Sequence, residues 1–246
     1  MPEDYFSQGA AQYDASSSDM FHPSVVDPAV DFLADLAGDG AALELAVGTG
    51  RIAIPLSRRG VRVHGIDLSQ AMVDQMRAKP GGEDVEVTIG DFATTAVPGS
   101  FRLAYLVFNT ISNLTTQDEQ VACFCNVADH LEPGGCFVIE VGVPPLRRLP
   151  PGEIFSPFTV TPGHVGIDEL DTATQSGVSH HYWMADGRSG RWSMPYRYVW
   201  PAELDLMARI AGMRLRERYG SWKREPFTSD SASHVSVWEK TGRDDS

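Results

Sequence analysis

The chain has 246 residues, 33 acidic and 20 basic, for a formal net charge of −13. That balance argues against nucleic acid and anionic membrane surfaces as partners, because both are gripped through clustered Lys and Arg. It leaves a protein with a neutral, cationic or small substrate, long enough for one large domain or one domain with an insertion.

In chain order, residues 1–18 are polar and acidic with no apolar centre, so no secretory signal is expected. Tyr5, Phe6, Tyr13 and Met20 are candidate anchors there. Val26, Val30 and Leu33 recur at helical spacing and predict a helix over residues 25–37, stopped by Gly38 and Gly40. Residues 41–47 form an apolar strand, Gly48-Thr49-Gly50 a turn, and Thr49 the cap of a short helix carrying Ile52, Ala53 and Leu56. A second strand over 61–66 closes on Asp67, and a helix over 69–79 buries Met72, Val73 and Met76. Third and fourth strands follow at 85–89 and 101–108. A helix over 117–131 is stopped by Pro133-Gly134-Gly135, and a fifth strand runs over 136–143. Continuously apolar strands alternating with helices mean βαβ units and a parallel sheet covered on both faces.

Beyond Pro144 the pattern changes. Residues 155–200 are aromatic and alternating, with turn signals such as Asp186-Gly187, which predicts an inserted antiparallel sheet. Tyr182, Trp183, Trp192, Tyr196, Tyr198 and Trp200 are expected mainly as its core. A helix over 202–211 and strands over 213–219 and 234–240 complete the chain. The domain reading is a core of residues 1–144 and 201–246 with an inserted β-rich cap at 145–200. Cys123, Cys125 and Cys136 read as reduced thiols in a cytoplasmic protein. No run approaches the roughly 20 apolar residues of a membrane span. Cys123 and Cys125, two apart on a helix, point about 200° away from each other. No other set has ligand spacing, so no metal is expected.

The chemistry concentrates in Leu43-Glu44-Leu45-Ala46-Val47-Gly48-Thr49-Gly50-Arg51, where a buried strand enters a glycine turn at the carboxyl edge of the sheet. Gly48-x-Gly50-x-x-Ala53, with Asp67 further on, fits a dinucleotide fingerprint and an NAD(P)-dependent oxidoreductase. Glu44 opposes that reading: an acid below the turn repels a pyrophosphate but suits an ammonium or a sulfonium. Gly90-Asp91-Phe92 after the third strand offers an acceptor and an apolar wall to a nucleobase.

These motifs together resemble the class I S-adenosylmethionine-dependent methyltransferases of the bacterial small-molecule type, over most of the chain from Tyr13 to Lys240. The resemblance implies a Rossmann-like, seven-stranded, mostly parallel α/β sheet with helices on both faces and a terminal antiparallel hairpin. It implies that Glu44 and the Gly48, Thr49 and Gly50 backbone meet the methionine end of the cofactor. Asp67 would accept from the ribose hydroxyls, with Leu68 and Met72 beside the adenine. Asp91 would accept from the adenine amine, with Phe92 stacking nearby. Phe108 and Asn109 follow the fourth strand, and Asn109 sits where the family's backbone contacts the cofactor amine. Tyr13-Asp14 resembles an N-terminal pair whose tyrosine closes over the cofactor. The departure is Ala46, in place of the motif's first glycine; its methyl is tolerable at negative φ. Methyl transfer needs in-line placement and, for a hydroxyl or ammonium acceptor, a base. Glu140, His180 and His181 are the candidate catalytic groups, with at most one of the adjacent histidines facing the site. Asn113, Tyr196 and Arg197 are candidate substrate contacts. The expected partner is a small-molecule acceptor, with a homodimer through the cap as an alternative use of that sheet. A non-catalytic cofactor-binding protein is the remaining alternative.

Overall fold

The computed structural model describes residues 10, 13, 14, 18–185 and 188–242. Tyr5, Phe6 and the Asp186-Gly187 turn lie outside the described residues.

The first helix, α1 (Pro23–Ala37), starts with Pro at its first position, where the missing N–H costs nothing, and with His22 accepting from Ser24 N. β1 (Ala42–Leu45), α2 (Ala53–Arg58), β2 (Val63–Asp67), α3 (Gln70–Arg77) and β3 (Glu86–Ile89) follow, then β4 (Phe101–Leu106), α4 (Gln117–His130) and β5 (Leu131–Gly142). The inserted strands are β6 (Phe155–Val160), β7 (His164–Asp171), β8 (Ser176–Ala185) and β9 (Arg188–Arg197). The chain returns through α5 (Pro201–Ile210), β10 (Met213–Tyr219) and β11 (Ser233–Lys240).

The main sheet has seven strands in the order β10-β11-β5-β4-β1-β2-β3. β1, β2, β3, β4 and β5 pair in parallel, and β11 pairs antiparallel to both β5 and β10. Strand alternation sorts the core into two layers. Leu43, Leu45, Ala104, Leu106, Phe137 and Ile139 pack under α4 and α5, whereas Ala42, Leu103, Tyr105 and Val138 pack under α1, α2 and α3. The strand order reverses between β1 and β4, which opens a crevice at their carboxyl ends.

Two local expectations are corrected. Thr49 does not cap α2, which begins at Ala53 after Ile52 with no side-chain cap. Pro133-Gly134-Gly135 does not separate α4 from the strand. It lies inside β5, where the register with β4 shifts between Phe101 and Leu103 and Gly134 takes φ 75°. The irregular start of the strand, ahead of its pairing with β11 from Cys136 onward, absorbs a Pro-Gly-Gly that a regular ladder would reject.

The second sheet is antiparallel, in the order β6-β7-β8-β9. Its aromatic residues divide: Tyr198 is buried, Trp192 stacks on His181, and Tyr182, Trp183 and Trp200 remain exposed, contrary to the expectation that they are mainly core. β9 packs against the 3-10 turn Thr110–Asn113, which seats this sheet beside the segment that follows β4.

Candidate active site

The crevice is built around the turn at residues 46–50. Gly48 has φ 56°, and a Cβ placed there would meet the Met72 methyl at 3.6 Å and Ala46 O at 3.9 Å, ordinary contact distances, so the space beside its Cα is open to a ligand. Gly50 has φ 79° and serves packing: a Cβ there would lie 2.5 Å from Met76 Cγ. Ala46 is a correction. It sits at φ 55°, in the left-handed region rather than at negative φ, so its methyl is strained.

Below the turn, Glu44 is 2% exposed and accepts from Tyr105 Oη at 2.8 Å, with the Ala53 backbone as a second partner. Its carboxyl group is thereby engaged beneath the turn. Burial pushes its pKa up to about 8, partly offset by Tyr105 and Arg51. Asp67 ends β2 and accepts from Gly48 N at 2.7 Å and Ser69 N at 2.8 Å, which ties the turn to the start of α3. Burial raises its pKa while these N–H groups oppose the shift. Leu68 is half-buried beside it and Met72 is buried.

Asp91 is exposed at the end of β3 and accepts from Ala93 N at 2.8 Å. Phe92 corrects its expectation: at 5% exposure it belongs to the core layer under α4 and offers no free face for stacking. Thr49 is buried, and its hydroxyl donates to Asp14 Oδ1 at 2.6 Å. Lys79 Nζ donates to Thr49 O at 2.8 Å and pairs with Asp14 Oδ2. Asp14 therefore latches the Tyr13-Asp14 segment onto the glycine turn. Burial raises the pKa of Tyr13, which also feels Arg51 and Asp67.

Beyond β4, Phe108 and Asn109 both have positive φ, 56° and 59°. Phe108 is 49% exposed, and Arg51 Cζ lies 5.7 Å from its ring centroid, across the crevice mouth. Asn109 precedes the 3-10 turn that ends in half-buried Asn113.

The expected catalytic groups have other engagements. Both Glu140 carboxylate oxygens accept N–H bonds, Oε2 from Phe108 N at 3.0 Å and Oε1 from Trp222 Nε1 at 2.8 Å. His181 is stacked 3.8 Å from Trp192, bonded to His164 Nε2 at 2.9 Å, and held by burial and neighbouring histidines at a pKa of about 4, which makes it a weak base. His180 lies on the opposite face of β8, against Ser193 and Glu169. Tyr196 lies on the His181 face and donates to Asp168. Arg197 does not turn to the crevice: it is 6% exposed, donating to Gln120 Oε1 and Glu203 Oε1 at 2.6 Å each. Tyr105, Arg51, Lys79 and Trp222 were missed from sequence. Arg51, directly after Gly50, carried the one local signal; the others are brought in only by tertiary structure.

Residues 42–135, from β1 into β5, match a family described as a methyltransferase domain. The CcbJ methyltransferase from Streptomyces caelestis is 36% identical, superposes with a TM-score of 0.79, and aligns over 87% of this chain and 89% of its own. The chain belongs to the class I S-adenosylmethionine-dependent methyltransferases. This methyltransferase is also 29% identical over 205 residues to the cypemycin N-terminal methyltransferase of a Streptomyces species, covering 80% and 82% of the two chains. The amino pentose methyltransferase CalS10 from Micromonospora echinaspora shares the fold, at 22% identity and a TM-score of 0.70 over 93% and 96% of the chains. Membership sets aside both the nicotinamide and the non-catalytic readings.

The site fits the cofactor by its own chemistry. The space beside Gly48 Cα is a cradle that a side chain would fill, Asp67 lies against it and Asp91 follows β3, two carboxylates suited to a ligand bearing a sulfonium and an ammonium, with Glu44 buried beneath as a carboxyl group that a bound cation would ionise. Among the described residues, no three His, Cys, Asp or Glu side chains form a metal site, and no helix is long and apolar enough to cross a membrane.

Proposed function

We propose that this methyltransferase acts on an oxygen or nitrogen of a small molecule, and that residues 145–200 cover the acceptor. The observation that carries this reading is the seating of β9 on Thr110–Asn113, directly after the Phe108-Asn109 turn, so that the base of the cap borders the crevice. In this reading, Asp67 and Asp91 hold the ribose and adenine, Leu68 and Met72 wall the base, and the Gly48, Thr49 and Asn109 backbones hold the methionine end. Tyr13 closes over it.

The bound cofactor supplies an activated methyl group on a sulfonium. What the chain contributes is orientation: Phe108 and Asn113 border the acceptor, Tyr196 and Asp168 face it from the cap, and its lone pair is held in line at about 3 Å. Nitrogen is favoured over oxygen. Glu140 is occupied by two N–H donors, Asp168 by the Ser179 and Tyr196 hydroxyls, and His181 is a weak base, whereas an amine needs only to reach its neutral form, which solvent can supply. The similar proteins named for an N-terminal amine and an amino pentose support the same preference. Exposed Phe155, Phe158, Val160 and Met184 on the cap suit a homodimer contact, which light scattering tests. Three free cysteines suit the reducing cytoplasm.

The test is calorimetry with S-adenosylmethionine and S-adenosylhomocysteine, followed by mass spectrometry of amino sugars, amino-terminal peptides and phenols incubated with wild type and Asp67→Ala. Methylation of a small amine that Asp67→Ala abolishes supports the reading. Methylation confined to protein or nucleic acid overturns it.

A further inference from the structure

We infer that Glu140 and Trp222 form a clasp that presets the Phe108-Asn109 turn for the methionine end of the cofactor, and that both are positioning residues of the reaction. The inference rests on the proposed placement of that turn at the cofactor. Two consecutive side-chain-bearing residues in the left-handed region are unfavourable, and such a pair persists only where its surroundings over-determine it.

Glu140 supplies most of that determination from the end of β5. Its carboxylate takes Phe108 N at 3.0 Å, and its backbone carbonyl takes Asn109 N at 3.1 Å. Two residues on, Gly142 N donates to Asn109 Oδ1 at 2.6 Å, so the turn is pinned at three points to one strand. The second carboxylate oxygen is fixed by Trp222 Nε1 at 2.8 Å, from the connection between β10 and β11. Trp222 is fixed in turn: its ring meets that of Phe32 in α1 edge-on, with centroids 5.4 Å apart. Rigidity thus passes from the core under α1, through the indole and the carboxylate, to the turn.

A glutamate is the side chain this geometry needs. Each of its oxygens faces an N–H donor, and a glutamine would turn its NH2 toward one of them. The opposite wall of the crevice is the turn at residues 46–50, and Arg51 over the Phe108 ring bridges the two. Were the clasp lost, φ at Phe108 and Asn109 could relax to negative values. That would carry Phe108 away from Arg51 and redirect the backbone offered to the ligand.

The experiment compares wild type, Trp222→Phe and Glu140→Gln by calorimetry with two ligands: S-adenosylhomocysteine, and methylthioadenosine, which lacks the amino-acid end. Trp222→Phe keeps an aromatic ring facing Phe32, though a smaller one than the indole, and removes the N–H. Loss of one such bond should weaken S-adenosylhomocysteine roughly tenfold and methylthioadenosine less than twofold. Glu140→Gln should show the same split, at least as large, and stands in if Trp222→Phe fails to fold. Equal weakening of both ligands marks a merely structural role and overturns the clasp, as does unchanged binding of both. Wild-type protein that binds neither ligand removes the cofactor placement on which the clasp rests.

Discussion

At Ala46, a single methyl group stands where the backbone takes φ 55°. Replacing it with glycine should relieve the strain and stabilise the protein by about 1 kcal/mol, seen as a rise in Tm of roughly 2–4 °C. An unchanged or lower Tm in Ala46→Gly would show that the strain is compensated locally. Glu44 gives a pH-dependent prediction. Its folded pKa of about 8 is well above the ordinary carboxylate value, so the folded state binds more protons than the unfolded one between these limits. Stability from this group is complete in acid and is lost as pH rises toward and through 8. Glu44→Gln, which stays neutral, should flatten that decline in denaturant titrations between pH 5 and 9. At pH 7 the wild type should release protons on binding the cationic cofactor, measured by calorimetry in buffers of different protonation heat, and Glu44→Gln should not.

At the scale of elements, the joint between cap and core is chemical as well as covalent. Arg197 at the end of β9 meets Gln120 of α4 and Glu203 of α5, and Gln120 returns a bond to Arg197 O at 3.3 Å. The pair is largely buried, so removing the cation leaves Glu203 without its strongest partner. Arg197→Met should cost about 3 kcal/mol, measured by urea unfolding; a loss within error would mean the joint is dispensable. The parallel half of the fold was legible because most of its strands are apolar runs and its helices carry apolar residues at helical spacing. The second, antiparallel sheet was legible through its alternation. What could not be read were contacts joining distant segments: Arg197 to Glu203, Trp222 to Glu140, Tyr105 to Glu44, Lys79 to Asp14. Phe92 and Ala46 were misjudged for a related reason, since a motif names residue types at an edge and leaves open their burial and their φ.

For the whole molecule, buried His234 and half-buried His181 oppose acid. His181 and His234 both have pKa values lowered to about 4, mainly by burial. His234 Nε2 has no hydrogen-bond partner among the described residues. For each, stability is present above the ordinary histidine pKa and is lost as pH falls through 4. His234→Phe should therefore move the acid-unfolding midpoint, followed by circular dichroism, down by roughly half a pH unit; an unmoved midpoint would exclude His234 as a trigger. The charge of −13 has a local part as well, since Asp67 ends β2 against the glycine turn and Asp91 follows β3.

The order of the strands has a consequence for how the chain reaches this state. β11 lies between β5 and β10, yet every other strand precedes it in sequence. Until residues 233–240 leave the ribosome, β5 is an open edge carrying Phe137, Val138 and Ile139, the kind of surface on which nascent chains aggregate. Synthesis must therefore run through the cap, α5 and β10 before the sheet can close, and a transcript cut short before β11 yields a product that exposes this edge rather than a smaller enzyme.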